Sequence, residues 1–385
     1  MICALAAVLL KLMIEPDPLQ QVDRTYVLWR GRKLSYFSGC DYFRASTHPK
    51  VHQALKDGLS RFGLNVAASR LTTGNHALYG KLEGRLRLFF KAESALLVST
   101  GYISNLAVAQ ALSGQFSHAL IDKAAHPSLR DAAKLLECPV LEFTHGSVTD
   151  CAAAVERCGP SAKVIVLTDG CFARDGSVAP LDQYKEMLPK DALLLVDDAH
   201  GAGVLGEHGR GSPEQTNTER SRVIQTVTLS KAFGTYGGVI LSSRSIRQRI
   251  LEHSDLFIGS TPLPLPLVNA GLAAADLLAG DRSFRARLNA NVNHVYDSLV
   301  KGGLRIPRNP GPIVAVQTTH PRNTAKLKRV LLEHKIFPAV LKYPGGPAEG
   351  YFRFVISSEH SGDQLQSLVD ALTVCSSVVS PLATS

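Results

Sequence analysis

Lys231 sits in the run Thr228-Leu229-Ser230-Lys231-Ala232-Phe233-Gly234, directly after an apolar stretch and just before a glycine turn. A lysine held there lies close to a core. Desolvation moves a lysine's pKa readily, and its neutral amine forms covalent adducts with carbonyl cofactors, while the neighbouring Thr228 and Ser230 hydroxyls can donate to a phosphate. An isolated strand-end lysine would simply extend its ammonium to water. This one has company. About thirty residues upstream, Leu193-Leu194-Leu195-Val196-Asp197-Asp198-Ala199-His200 ends an apolar run in two carboxylates and an imidazole. Ligands of open α/β sheets bind at the carboxyl ends of the strands, so Asp197, His200 and Lys231 are expected to face one crevice. A carboxylate there can keep a pyridine nitrogen protonated, which turns pyridoxal 5'-phosphate (PLP) into an electron sink. Asp198 is explained more simply, as a helix cap.

Two further segments fit the same cofactor. Ser99-Thr100-Gly101-Tyr102 follows a strand and opens the helix that carries Asn105, so free N–H groups and the helix dipole create a place for a phosphate. Ile121-Asp122-Lys123-Ala124-Ala125-His126 follows the next strand and places an imidazole where it can lie against a ring. Each is an ordinary feature alone. Their order along the chain, together with Asp197 and Lys231, is what carries the reading.

The elements that must position these residues follow an alternating pattern. Apolar, branched runs at 95–98, 119–121, 164–167, 193–196, 223–228 and 239–241 predict buried strands, and helical periodicity at 105–112, 128–136 and 150–158 lies between them. The class is therefore α/β with a mostly parallel sheet. Three prolines within 262–266 mark a boundary, a long helical pattern runs from 267 to about 301, and strands at 313–316 and 353–356 with helices at 323–334 and 362–372 predict a smaller α/β domain. The expected organisation is an N-terminal segment over 1–42 packed on the small domain, a large cofactor domain over 43–265 and a small domain over 266–385.

Composition bounds the alternatives. The 385 residues, 45% hydrophobic and 19% charged, with Gly 31 and Pro 20, exclude disordered, collagen-like and long coiled-coil chains. The net charge of +9 suits an anionic partner, but lysine and arginine are scattered and no nucleic-acid-binding motif accompanies them. No nucleic-acid or membrane partner is expected. Seven cysteines without CxxC or Cys/His spacing argue against a disulfide framework and a structural metal, and point to a reducing cytoplasm. Residues 1–14 are apolar but interrupted by Lys11, and are too short to span a bilayer; they read as a packed terminal helix or a mis-assigned start.

Taken together, these motifs resemble the α-oxoamine synthase family of fold-type I PLP enzymes, most of all its 8-amino-7-oxononanoate synthase branch. The resemblance rests on Ser46-Thr47-His48-Pro49, Ser69-Arg70-Leu71 with Thr73-Gly74, Asp122 with His126-Pro127-Ser128-Leu129, Asp175-Gly176 with Ala179-Pro180-Leu181, and the run from Asp197 to Gly206. Gly209-Arg210-Gly211, Ser230-Lys231-Ala232-Phe233-Gly234, Ser260-Thr261-Pro262 and Arg353 with Ser358-Glu359-His360 complete it, over about 34–372.

The resemblance implies that Lys231 carries PLP covalently and acts as base, Asp197 pairs with the pyridinium, His126 stacks on the ring and His200 sits by the phenolic oxygen. It implies that Gly101, Tyr102 and Thr228 hold the phosphate, that Ser260 and Thr261 reach the phosphate of a neighbouring subunit in a homodimer, and that Arg353 binds the amino-acid carboxylate. The reaction it implies is decarboxylative condensation of a small amino acid, L-alanine first, with an acyl group carried by CoA or an acyl-carrier protein, as in biotin biosynthesis. A glycine-using enzyme of the 2-amino-3-ketobutyrate CoA ligase or secondary-metabolism type, and a catalytically silent partner subunit, are the alternatives.

The departures fall on the substrate side. Where the family has Asn-Asp-Tyr-Leu-Gly, this chain has Cys40-Asp41-Tyr42-Phe43-Arg44; where the family has Phe-Ser-Met-Asp-Gly, it has Phe172-Ala173-Arg174-Asp175-Gly176. Tyr79 replaces a histidine before Leu82-Glu83, and the basic cluster upstream of Asp41-Tyr42 is absent.

Overall fold

The computed structural model describes residues 17–342, 347 and 350–382, so the helix expected over 1–14 lies outside the described residues. The chain opens with a small antiparallel sheet of β1 (Gln20–Val22), β2 (Tyr26–Trp29) and β3 (Arg32–Ser35). The central sheet contains β4 (Ser94–Val98), β5 (His118–Asp122), β6 (Val140–Phe143), β7 (Val164–Asp169), β8 (Leu193–Asp197), β9 (Val223–Thr228) and β10 (Gly238–Ser242), in the order β4-β10-β9-β8-β7-β5-β6. Only β10 runs against its neighbours. A third, antiparallel sheet has the order β12-β13-β11-β14, built from β11 (Ile313–Thr318), β12 (Val340–Leu341), β13 (Tyr351–Val355) and β14 (Val379–Pro381).

The apolar runs are strands because both faces of the central sheet are covered. Ile165, Leu167 and Leu195 pack on one face under the helices Gly101–Ala111 and Pro127–Leu135, while Val164, Val166, Leu194 and Val196 pack on the other under Val148–Cys158 and Leu181–Met187. Period-two alternation thus persists inside a continuous hydrophobic run. The C-terminal sheet is antiparallel rather than wound through crossovers, and the strands at 20–35 escape the sequence reading because they are three or four residues long and only partly buried.

The single long helix expected over 267–301 is two helices, Leu265–Gly280 and Ser283–Lys301. Asp281 is extended there, and its carboxylate accepts the Ser283 N–H at 2.8 Å, which starts the second helix anew. The first packs on Pro49–Phe62 and Ala77–Phe89, the second on Gly362–Val374. No helix among the described residues is long and apolar enough to cross a membrane, and their six cysteines are unpaired thiols.

His360 ties Tyr36 and Phe37, just after β3, to the turn that follows β13. Its Nδ1 accepts the Ser357 N–H at 3.0 Å, which leaves the ring proton on Nε2 to be donated to the Tyr36 carbonyl at 3.1 Å, while the ring stacks on Phe37. Burial pushes its pKa down to about 3. The folded state therefore keeps His360 neutral where the unfolded chain protonates it, so the stability it contributes is complete above about pH 6.5 and is lost as pH falls toward 3. Denaturant titrations between pH 7 and 4 should show unfolding free energy falling by up to ~1.4 kcal/mol per pH unit from this group, with a shallower limb in His360→Asn. Equal slopes in the two proteins would remove His360 from this role.

Candidate active site

The strand ends deliver the chemistry. Asp197 closes β8, opposite Asp169 on β7 and Thr226 on β9, and is almost fully buried. A buried carboxylate needs donors, and three converge on it. The Asn105 amide donates to Oδ2 at 2.7 Å, the Ser128 hydroxyl lies 3.3 Å from the same oxygen, and the Ala199 N–H donates to Oδ1 at 3.1 Å. Asn105 is itself fixed, since its Oδ1 accepts the Thr226 hydroxyl at 2.6 Å and its Nδ2 also donates to Ser128 Oγ at 2.9 Å. Sequence reading passed over Asn105 and Ser128 as partners of Asp197. The signal was present: a polar pair, Ser104-Asn105, on the buried side of an otherwise apolar helix.

Asp169 adds a second carboxyl beside the first. Burial, reinforced by the Asp197 charge, pushes it well above the usual carboxylate range, while its Oδ2 accepts the His126 N–H at 3.0 Å. His126 caps the helix Pro127–Leu135: its Nδ1 accepts the Ser128 N–H at 3.2 Å and lies 2.7 Å from the Ser128 hydroxyl. Burial lowers its pKa, the Asp197 charge opposes that shift and Lys231 adds to it, so the ring is neutral with its proton on Nε2.

His200 reaches the same state from another direction. Burial first, then the charges of Lys231 and Arg353, push its pKa well down, and burial pushes the Tyr42 phenol well up. The phenol keeps its proton and donates it to His200 Nδ1 across 2.6 Å, leaving Nε2–H as a donor. Lys231 lies half-buried in the turn between β9 and β10, and its charge acts on His126, Asp169, Cys171 and His200 alike. His126 also feels the Asp197 charge.

The helix start beside them is shaped for an anion. Thr100 Oγ1 takes the Ile103 N–H at 3.1 Å, while the Gly101 and Tyr102 N–H groups ahead of it have no acceptor within the helix. A Cβ on Gly101 would sit 2.8 Å from the Thr228 Cβ, so only glycine allows this approach. Tyr102 contributes backbone alone, because its phenol donates to Asp131 at 2.5 Å on the surface.

Arg353, on β13, donates from Nη1 to the Ala173 carbonyl at 2.9 Å and reaches Cys40 Sγ from Nη2 at 3.8 Å; its Nε is buried without a partner. That leaves donor capacity for a carboxylate. Ser260 and Thr261 stand apart: the Ser260 hydroxyl donates to the Leu256 carbonyl, Thr261 is exposed, and among the described residues neither touches Gly101, Tyr102 or Thr228 of its own chain. Tyr79 is locked away from the site, its hydroxyl donating to the Leu263 carbonyl at 2.8 Å.

Asp198 is a brace rather than the cap of the turn that follows it. Its Oδ2 accepts the Ser212 N–H at 2.9 Å and the Gln225 amide at 2.6 Å, and burial raises its pKa to about 7. A Cβ on Gly211 would lie 1.8 Å from that oxygen, which accounts for the glycine in Gly209-Arg210-Gly211.

Residues 39–372 match the family model described as aminotransferase class I and II. The chain is 32% identical over 361 residues, 92% of each protein, to the 8-amino-7-oxononanoate synthase of Trichlorobacter lovleyi, and 33% identical over 345 residues to that of Thioalkalivibrio sulfidiphilus, covering 89% and 88%. Among solved structures it superposes on Sphingomonas wittichii serine palmitoyltransferase with a TM-score of 0.88 at 26% identity, covering 97% and 96%. A serine palmitoyltransferase variant from S. paucimobilis with a bound PLP–myriocin aldimine gives 0.87 at 25% identity, with the same coverage. This chain belongs to the aminotransferase class I and II family of fold-type I PLP enzymes, in its α-oxoamine synthase branch alongside 8-amino-7-oxononanoate synthase and serine palmitoyltransferase.

Proposed function

We propose that the protein condenses a small amino acid, L-alanine first, with an acyl thioester on CoA or an acyl-carrier protein, releasing CO2 and the thiol and forming an α-aminoketone. The observation that supports this reading is that the charges of Asp197 and Lys231 act on His126 and those of Lys231 and Arg353 on His200. It also speaks against a silent subunit. PLP, when bound, supplies a sink for the electron pair left at the amino-acid Cα.

The residues fit that group. The Gly101 and Tyr102 N–H groups and the Thr228 hydroxyl would hold its phosphate, Asp197 its ring nitrogen, His200 Nε2–H its phenolic oxygen, and His126 would cover the ring. Lys231 would anchor the cofactor and, once displaced, take the Cα proton with its amine. Arg353 would orient the carboxylate that departs as CO2. Ser260 and Thr261, unengaged with this chain's own cradle, would serve the partner's phosphate in a homodimer.

A serine-using enzyme is the second reading, favoured by the likeness to serine palmitoyltransferase. Both are tested by incubating the holoenzyme with alanine, glycine or serine and an acyl-CoA, following CO2 and free thiol. Equimolar release dependent on one amino acid is expected. Thiol release without any amino acid, or amino-group transfer without CO2, would overturn the proposal.

Gly101→Ala provides a separate check on the cradle. The added methyl would push into Thr228. Cofactor retention during dialysis should fall at least ~10-fold, the loss of one or two charge-assisted hydrogen bonds at ~1.4 kcal/mol per decade, while the fold persists. Unchanged retention would place the phosphate elsewhere.

A further inference from the structure

A cavity of about 580 Å³ is lined by Cys40 and by Ser230, Gly234 and Thr235. Cys40 touches Arg353, and the three turn residues flank Lys231, so the cavity adjoins the reacting centre from the N-terminal segment. Four charged side chains among its lining residues decide its character. Arg24 pairs with Glu359 at 2.6 Å, Asp23 pairs with Lys33, and the two Asp41 oxygens accept the Ala45 and Ser46 N–H groups.

Arg44 remains. It is 5% exposed, no carboxylate among the described residues approaches it within ion-pair distance, its Nε is buried without a partner, and Nη2 donates only to the Tyr36 carbonyl at 3.2 Å. Burial pushes its pKa down against the attraction of Asp41. Its backbone is left-handed, with φ 50° and ψ 36°, a conformation that costs an L-residue free energy and recurs at functional sites. Besides the Asp41 charge, the Tyr36 ring, 5.9 Å from the guanidinium carbon, offsets the burial of this cation, and a buried guanidinium without an ion-pair partner among the described residues, on a strained residue, is destabilising. An anionic ligand group would supply the missing charge.

We infer that Arg44 is a specificity-determining residue whose guanidinium receives an anionic group of the thioester substrate in this cavity. The inference rests on the acyl-transfer reading and deepens it. The shared chemistry is an anionic oxygen, carried either by the far end of the acyl chain or by the phosphates of the carrier. Two guanidiniums then divide the work: Arg353 takes the amino acid and Arg44 the acyl donor.

The test is calorimetric binding to the holoenzyme, without amino acid, of CoA and of matched acyl-CoAs ending in a methyl or a carboxylate. In Arg44→Gln, a 10- to 100-fold weaker affinity confined to the carboxylate-ended thioester assigns the anion to the chain, with the methyl-ended thioester changed less than about 2-fold. An equal loss for CoA and both thioesters assigns it to the carrier. Arg44→Lys should recover part of either loss. Arg44→Gly accepts the left-handed backbone, so it should repeat the binding loss while raising Tm by about 2 °C or more. Unchanged affinities in Arg44→Gln, or a lowered Tm in Arg44→Gly, would overturn the site and leave the acyl-transfer reading standing. Failure of every thioester to bind the unaltered holoenzyme would overturn both.

Discussion

Lys231→Ala should leave a folded protein whose turnover is reduced at least ~10⁴-fold and which no longer holds PLP covalently. The side chain makes no hydrogen bond among the described residues and stands half-buried in a turn, so stability should change by less than about 1 kcal/mol. Borohydride reduction followed by denaturation separates the possible outcomes, because only a covalently attached cofactor survives it as a reduced lysine adduct. The adduct should be present in the unaltered protein and missing in the variant. Lys231→Arg keeps the positive charge that His126 and His200 experience but lacks an amine able to form the link, and should be as inactive as the alanine variant. An adduct that persists in either variant would transfer the anchor to another lysine.

The second large effect is expected at Asp197. Asp197→Asn keeps the shape but removes the formal charge that would pair with a protonated ring nitrogen, so turnover should fall ~10²–10⁴-fold while the cofactor is still retained through Lys231 and the phosphate cradle. Asn105 tests the positioning argument. Asn105→Ala deletes a donor to both Asp197 and Ser128, at distances of 2.7 and 2.9 Å, and should cost less than Asp197→Asn while shifting the pH profile of turnover. A fall in stability with no change in that profile would make Asn105 a packing residue only. Less than a tenfold loss in Asp197→Asn would remove the carboxylate from the chemistry.

The acyl-side reading differs in kind from these two. Lys231 and Asp197 follow motifs whose pattern is legible along the chain, whereas Arg44 draws its meaning from burial and from the absence of a counter-charge. In one dimension it is a departure from a family pattern; in three it is a buried cation with no ion-pair partner among the described residues, lining a cavity with Cys40 and Ser230.

By itself the sequence determined the class, the order of the buried strands and which residues end them, because hydrophobic runs and turn residues are local properties. It also singled out Asp197, His200 and Lys231 as residues at or just after strand ends, since strand ends in an α/β sheet point to one side. Other features required the tertiary structure. The reversal of β10 is invisible because a buried strand reads the same in either direction. The N-terminal sheet and the short β12 and β14 escaped because strands of two to four partly buried residues carry little periodicity. The titration behaviour was decided there too: burial and neighbouring charges from distant segments lower the pKa values of His126 and His200 and raise that of Asp169. Asn105 and Ser128 bond to Asp197 across 92 and 69 residues of chain, and closeness of that kind comes from packing alone.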